Sequence, residues 1–278
     1  RQDLAIVKKY LLFFSPLIDV VNMSINIPPV MRKKQKQKTR YNWKTKEILK
    51  ILEMPLLDLL HRARNVHKDH HKQDSIQRAT LLSVKTGGCP EDCAYCPQSA
   101  HYETEVKKEK KLNIETVVRV AKSAKSNGAS RFCMGAAWRS VKDGPEFDSI
   151  ITMVRRVKAL GMETCVTLGM LNKQQAKRLA NAGLTAYNHN IDTSPDFYKK
   201  IITTRGFKDR LETLRHVQKA GIAVCSGGII GMGETRKDRC EMLKVLANTD
   251  PHPESVPINV LVKAKGTPVS YTHLRAHE

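Results

Sequence analysis

The stretch Cys89-Pro-Glu-Asp-Cys93-Ala-Tyr-Cys96 limits what this chain can fold into more than any other. Three cysteines fall within eight residues at C-x3-C-x2-C spacing. An apolar run, Thr80–Thr86, leads into them, and Gly87 and Gly88 stand between run and loop. Thiolates hold iron–sulfur clusters, and a tight loop can aim three of them at one cluster. Three protein ligands on a 4Fe-4S cube leave one iron open to a substrate or cofactor. A structural zinc site is the alternative. It needs four ligands, and the next Cys or His after Cys96 is His101.

The chain has 278 residues, 41% of them apolar, which is enough for a sizeable core. Seven cysteines at this length fit metal binding in a reducing, cytoplasmic compartment better than a disulfide scaffold. The net charge of +21 raises nucleic acid or an anionic surface as a partner. Much of that charge is local, since Arg32 to Lys50 carries a net +8 with Glu47 its one acid. Only Tyr41 and Trp43 lie nearby, so the segment lacks the interleaved aromatics of a stacking platform. No nucleic-acid partner is expected. The apolar stretch Leu11–Val21 contains Pro16 and Asp19 and is too short for a membrane span. Residues 1–40 are expected to be a basic and apolar leader, disordered or read through from upstream, with Met23 or Met31 as the start.

Thr45–Leu52 and Pro55–His67 read as two short amphipathic helices, the second with Leu56, Leu57, Leu59, Leu60, Ala63 and Val66 on one face. His67, His70 and His71 offer metal ligands, or an exposed polar turn with Lys68 and Lys72 interleaved. From Thr80 the pattern becomes regular, a short apolar strand followed by a capped helix. Strands are expected at Thr80–Thr86, Arg131–Ala136, Glu163–Leu168, Ala186–Asp192, Ile222–Gly227 and Ser255–Val262. Helices are expected at Ile114–Asn127, Pro145–Leu160, Lys173–Ala182, Pro195–Thr203, Phe207–Ala220 and Thr235–Asn248. Gly128, Gly161, Gly183 and Gly221 stand where helices end. Repeated strand–helix units imply a parallel sheet with right-handed crossovers. The fold class is therefore α/β, a TIM-type (β/α) barrel with about six βα units present. In such barrels chemistry sits at the strands' C-terminal ends, where the cysteine loop falls. Thr80 to Pro268 spans 189 residues, against about 250 for a complete barrel, so the last strands are expected to be missing.

Cys133, Cys165 and Cys225 lie in the second, third and fifth expected strands. Each can be a small buried hydrophobe. All three can instead converge on the barrel axis and hold a second metal centre, since strand residues alternate inward and outward. Cys240, on a helix beside Arg239 and Glu241, reads as incidental.

At this point the residues resemble a known family. The stretch Leu82–Ser99 around the cysteine loop is similar to biotin synthase, a family of radical S-adenosylmethionine (SAM) enzymes. So are Arg131–Arg139, Ala186–Ser194, Ile202–Arg205, Val224–Gly231 and Ser255–Lys263. The similarity runs from about Tyr41 to Pro268, leaving residues 269–278 as an unrelated tail. The loop alone indicates the radical SAM superfamily. The strand cysteines and Tyr187-Asn-His-Asn190 carry the narrower resemblance.

The resemblance implies the following roles. Cys89, Cys93 and Cys96 would hold a 4Fe-4S cluster whose open iron binds S-adenosyl-L-methionine. Reductive cleavage of the cofactor would give methionine and a 5′-deoxyadenosyl radical. Cys133, Cys165 and Cys225 would hold a 2Fe-2S cluster that donates sulfur to dethiobiotin. Two hydrogen abstractions would then yield biotin, a sulfurtransferase reaction. The partners implied are dethiobiotin, a flavodoxin-like electron-transfer protein and a second copy in a homodimer. Asp192 suits ribose hydroxyls. Asn190 and Asn259 offer amides to the ureido ring or the cofactor, or serve as hydrogen-bonders of the barrel rim. Arg205 pairs with a carboxylate or forms a surface ion pair. Tyr95 is placed against the adenine. The family's fourth 2Fe-2S ligand, an arginine on the last barrel strand, has no counterpart here, and Arg275 is not assigned to that role. The 278-residue chain is therefore expected to be an open, inactive barrel with an aggregation-prone edge near Ser255–Val262. Other radical SAM sulfur-insertion or cofactor-maturation enzymes share the first cluster. A zinc-stabilised, basic nucleic-acid-binding protein is the reading from a different class.

Overall fold

The computed structural model describes residues 39–71 and 76–272. Nearly all of the expected leader, and residues 273–278 of the expected tail, lie outside them. Arg40–Glu278 form one compact unit, divided from Arg1–Thr39.

Helices α1 (Thr45–Leu52) and α2 (Leu56–His70) come first. There follow β1 (Ala79–Lys85), α3 (Ile114–Ser126), β2 (Arg131–Ala136), α4 (Pro145–Ala159), β3 (Glu163–Thr167), α5 (Lys173–Asn181) and β4 (Ala186–Asn188). The order continues with α6 (Pro195–Ile201), α7 (Phe207–Lys219), β5 (Ala223–Cys225), β6 (Gly228–Ile230), α8 (Arg236–Ala247) and β7 (Ile258–Val260). Strands β1 to β5 form one parallel sheet in sequence order, and β6 pairs with β7, also in parallel. Single bridges, Asp192 to Gly228 and Cys225 to Ser255, carry the pairing from β4 and β5 to the β6–β7 pair.

Period-2 patterning places the two faces of the sheet. In β2, Phe132, Met134 and Ala136 are buried while Arg131, Cys133 and Gly135 are half-buried. The buried set joins Val84, Val166 and Leu168 in the main core, with Phe147, Ile150, Val154, Leu214 and Val217 from the helices. Each fully buried side chain of this kind contributes about 1.5–3 kcal/mol, so the helices are held to the sheet's outer face. The alternate residues turn to the other side, where the cysteines are.

The helices are closed by local signals at both ends. Asn113, Asn172, Ser194 and Thr235 each accept a backbone N–H of the first turn. Gly128, Gly161, Gly183 and Gly221 follow the C-terminal caps with positive φ.

Several elements differ from expectation. The fourth strand stops at Asn188 rather than Asp192, and Asp192 itself adopts a left-handed φ of 67°. The fifth strand runs Ala223–Cys225 rather than Ile222–Gly227, and a further short strand, β6, not expected from the sequence, starts at Gly228 after the Ser226-Gly227 break. A Cβ on Gly227 would lie 1.8 Å from Pro257 O, so only glycine lets the two backbones approach there. Pro55 caps α2 rather than opening it, and α2 runs on to His70. His67 and His70 are therefore helical rather than part of a turn, and the His67 and His71 rings stack at 5.3 Å. The apolar face of α2 is not packed away: Leu56, Leu57, Leu60 and Val66 are exposed. Leu81 on β1 and Val260 on β7 are exposed too. No described helix is long and apolar enough to cross a membrane.

Candidate active site

The three-cysteine loop begins where β1 ends. Gly87 and Gly88 both have positive φ, and a Cβ on Gly87 would meet Lys107 O at 2.7 Å. Two successive left-handed residues in a closed space require glycine. Lys85 Nζ donates to the carbonyls of Gly87 at 2.5 Å and Ala137 at 2.9 Å, tying this turn to the end of β2. Cys89 N donates to Gln98 O at 2.9 Å, and Ala100 N to Cys89 O at 2.7 Å. Cys96 N closes a tight turn on Cys93 O at 2.9 Å.

Side chains fasten the same loop to a segment more than a hundred residues away. Asp92 accepts from Thr203 N at 2.9 Å, Thr204 N at 3.1 Å and Thr204 Oγ1 at 2.9 Å, and also from the Thr203 hydroxyl. Burial opposes the Asp92 charge, but these donors outweigh it and draw its carboxyl down to about 2. Glu91 is 2% exposed and sits between two guanidiniums. Its Oε1 lies 3.4 Å from Arg139 Nη1 and its Oε2 lies 3.6 Å from Arg205 Nε. Ala94 N reaches Ile201 O at 2.9 Å, and Val269 N reaches Ala94 O at 3.3 Å. Beneath the loop Phe197, Tyr198, Ile201, Ile202, Met232 and Val269 pack with Cys93 and Ala94.

Cys133, Cys165 and Cys225 are placed by strand register. Cys133 pairs with Cys165 across β2 and β3. Cys165 pairs with Ala186, and Asn188 pairs with Cys225. Cys225 therefore lies one inward-facing layer closer to the strands' C-terminal ends. Cys133 and Cys165 face each other in register; Cys133 is drawn down by its neighbour, while Cys165 is pushed up by Cys133 and by burial. Asn188 Nδ2 donates to Cys225 Sγ at 3.2 Å.

Asp192 is 2% exposed and ion-paired with Arg210, also buried. Arg210 Nε donates to Tyr198 Oη at 3.0 Å. Burial disfavours the Arg210 charge, yet the Asp192 carboxylate beside it keeps the guanidinium protonated. Asp192 combines burial, a left-handed backbone and a desolvated partner, a kind of strain that clusters at functional sites. Asn190 Oδ1 accepts from Gly227 N at 3.0 Å. Asn259 is exposed on β7, paired in register with Ile229. Tyr95 is half-buried beside the loop's packing. The Arg205 side chain is 6% exposed, so its ion pair is not a surface one, and the carboxylate it faces is that of Glu91. His189 is buried in the same wall, and burial, with Arg210 and Arg205 acting in the same direction, pushes its pKa well below the ordinary value. The imidazole is thus neutral.

Arg210, Glu91 and Asp92 were not among the residues read from sequence as functional. For Arg210 a signal existed. It falls in line with Leu214 and Val217 on the buried stripe of α7, and an arginine on an apolar stripe is out of place unless paired.

The chain matches the Radical SAM superfamily model over residues 83–246. The biotin synthase of Methylorubrum populi is 62% identical over 235 residues, covering 84% of this chain and 69% of that protein. That of Ruegeria pomeroyi is 61% identical over 233 residues, covering 84% of this chain and 73% of that protein.

The chain belongs to the biotin synthase family of the radical SAM superfamily. Solved structures agree on the fold at much lower identity. A crystal structure of methylornithine synthase superposes with a TM-score of 0.68 at 17% identity, covering 83% of this chain and 68% of that one. The FeFe-hydrogenase maturase of Carboxydothermus hydrogenoformans gives 0.66 at 18%, covering 84% and 56%. The TIM-type radical SAM fold expected from the strand–helix alternation is thereby established.

The family's groups, a 4Fe-4S cluster, S-adenosylmethionine and a 2Fe-2S cluster, fit the residues present. All six cysteines in the two sets are free thiols. Burial pushes the Cys93 thiol up to about 12. Arg205 Nε and His189 Nε2 are buried without a hydrogen-bond partner among the described residues, so the site has donor capacity in reserve. Among the described residues no three His, Cys, Asp or Glu side chains converge to hold a single metal ion. A cube meets its thiolates at separate irons, so its ligands need not converge on one point.

Proposed function

We propose that this chain carries out the sulfur insertion that converts dethiobiotin to biotin, with Cys89, Cys93 and Cys96 as one cluster site and Cys133, Cys165 and Cys225 as the other. The observation that carries this reading is the division of six free cysteines into a loop set and an inward-facing strand set. When bound, the first cluster and S-adenosylmethionine supply a carbon radical and the second cluster supplies sulfur. The protein's own residues do the rest. Cys89, Cys93 and Cys96 leave one position of the first cluster open. The buried Asp192, held by Arg210, would accept hydrogen bonds from the cofactor's ribose hydroxyls. Tyr95 and Arg205 would lie on the cofactor's side, and Asn190 and Asn259 would offer amides to the ureido ring or the cofactor. The neutral His189 offers a hydrogen bond without adding charge. An electron-transfer protein of flavodoxin type, a homodimeric assembly and a cytoplasmic location belong to the same proposal.

Anaerobic reconstitution with iron and sulfide tests it. Two separable cluster signals are expected, the first lost in Cys89→Ala and the second in Cys165→Ala. One signal shared by both sets, or bound zinc without iron, overturns it. Biotin formation from dethiobiotin is then assayed in the reconstituted protein.

A further inference from the structure

The Arg205 side chain is buried, and its guanidinium touches a cysteine as well as a carboxylate. Its Nη2 donates to Cys93 Sγ at 3.8 Å. Its Nε lies 3.6 Å from Glu91 Oε2 without a hydrogen bond, and among the described residues that nitrogen has no other partner. Glu91 is also fixed from outside, by the Thr204 hydroxyl and by Arg139. A buried cation is therefore pressed against one loop thiol, and a buried anion limits how much of its field the thiol receives.

We propose that Arg205 tunes the reduction potential of the cluster on Cys89, Cys93 and Cys96, with Glu91 as the counter-charge that sets how strongly it does so. This rests on the cluster assignment proposed above. Reduction adds negative charge to the cluster, and hydrogen bonds to its sulfurs are among the levers that set its potential. A charge-assisted donor on Cys93 stabilises the reduced form and raises the potential. Glu91 opposes this by neutralising the donor. Arg205 and Glu91 thus act with opposite sign on one atom, Cys93 Sγ. A role confined to holding the loop does not predict that. Loosening the loop from either side would lower cluster content in both variants and give no reason for opposite shifts.

The test is a redox titration of the reconstituted full chain, followed by electron paramagnetic resonance of the reduced cluster. The variants are Arg205→Met, Arg205→Lys and Glu91→Gln. The expected result is a lower potential than wild type in Arg205→Met, a higher one in Glu91→Gln and an intermediate one in Arg205→Lys. Iron content is measured alongside. Equal potentials in all four proteins, or shifts of the same sign in Arg205→Met and Glu91→Gln, overturn the proposal. If Arg205→Met fails to take up iron, the signs for Arg205→Lys and Glu91→Gln decide, downward and upward respectively. A wild type that forms no cluster on the loop refutes the cluster assignment itself, which is a distinct outcome.

Discussion

The two cysteine sets are built in different ways. Cys133, Cys165 and Cys225 are fixed by the ladder, each one rung from a neighbouring strand. Register there is enforced by the packing of Phe132, Met134 and Val166 on the other face, because a slip of one residue would turn every side chain over. Cys89, Cys93 and Cys96 have no ladder beyond the single Cys89–Ser99 bridge. Their loop is held by Lys85, by two glycines and by Asp92 and Glu91 reaching Thr203, Thr204 and Arg205. The strand set is robust because it is part of the sheet. The loop set depends on a few polar contacts, any of which can be removed one at a time.

The largest expected effect treats the two sets as independent centres. Cys96→Ala should abolish the loop cluster's signal and leave the strand cluster's intact. Cys225→Ala should do the reverse, and Mössbauer spectra of both read the outcome. Loss of both signals in either variant would make the two sets one cooperative unit.

Next is the buried ion pair between Asp192 and Arg210. Arg210→Met removes one partner from Asp192, leaving a carboxylate 2% exposed. Breaking a buried pair in this way costs about 3–5 kcal/mol. The urea midpoint should fall accordingly, and both cluster sets should load poorly. A loss under about 1 kcal/mol would mean that water reaches Asp192.

A smaller effect separates the sets. Asp92→Ala takes the acceptor away from four donors on Thr203 and Thr204. Unmaking such bonds costs about 1–3 kcal/mol when the donors stay buried, and less here, because Thr203 is exposed. The informative readout is thiol alkylation of the metal-free protein. Cys93 should react several-fold faster and Cys165 at an unchanged rate. Equal acceleration at both would show that the loop is not a separately fastened element.

This asymmetry also decides what could be read from sequence. Alternation and capping are local, so the strands bearing Cys133 and Cys165 and the helices behind them were legible. So was the loop, because its cysteines are close in the chain. The break at Ser226-Gly227 was not, since it depends on how near Pro257 comes. Nor were the end of the fourth strand at Asn188 and the left-handed backbone at Asp192. The fastening of Glu91 and Asp92 to residues 203–205 spans more than a hundred positions and has no local pattern. Arg210 was legible in principle, from its place on the apolar stripe of α7. The exposed leucines of α2 show the converse, since an amphipathic stripe reports a face and not what covers it.

The smallest expected effect concerns the outer of the two guanidiniums on Glu91. Arg139 and Arg205 both face that carboxylate, at 3.4 Å and 3.6 Å. By distance alone they are equivalent. They differ in burial, with side chains 41% and 6% exposed. Water and salt screen the outer pair, and exposed pairs are worth about 0–1 kcal/mol. Arg139→Gln should therefore change stability by less than about 1 kcal/mol. It should leave Cys93 alkylation near the wild-type rate, and its small effect on stability should shrink further as salt is added. Arg205→Gln, which leaves Glu91 buried without its inner partner, should lose more stability and expose Cys93. If instead the two variants behave alike, burial is not what distinguishes them. The loop would then be held by the net charge around Glu91 rather than by the one buried contact that reaches the thiol.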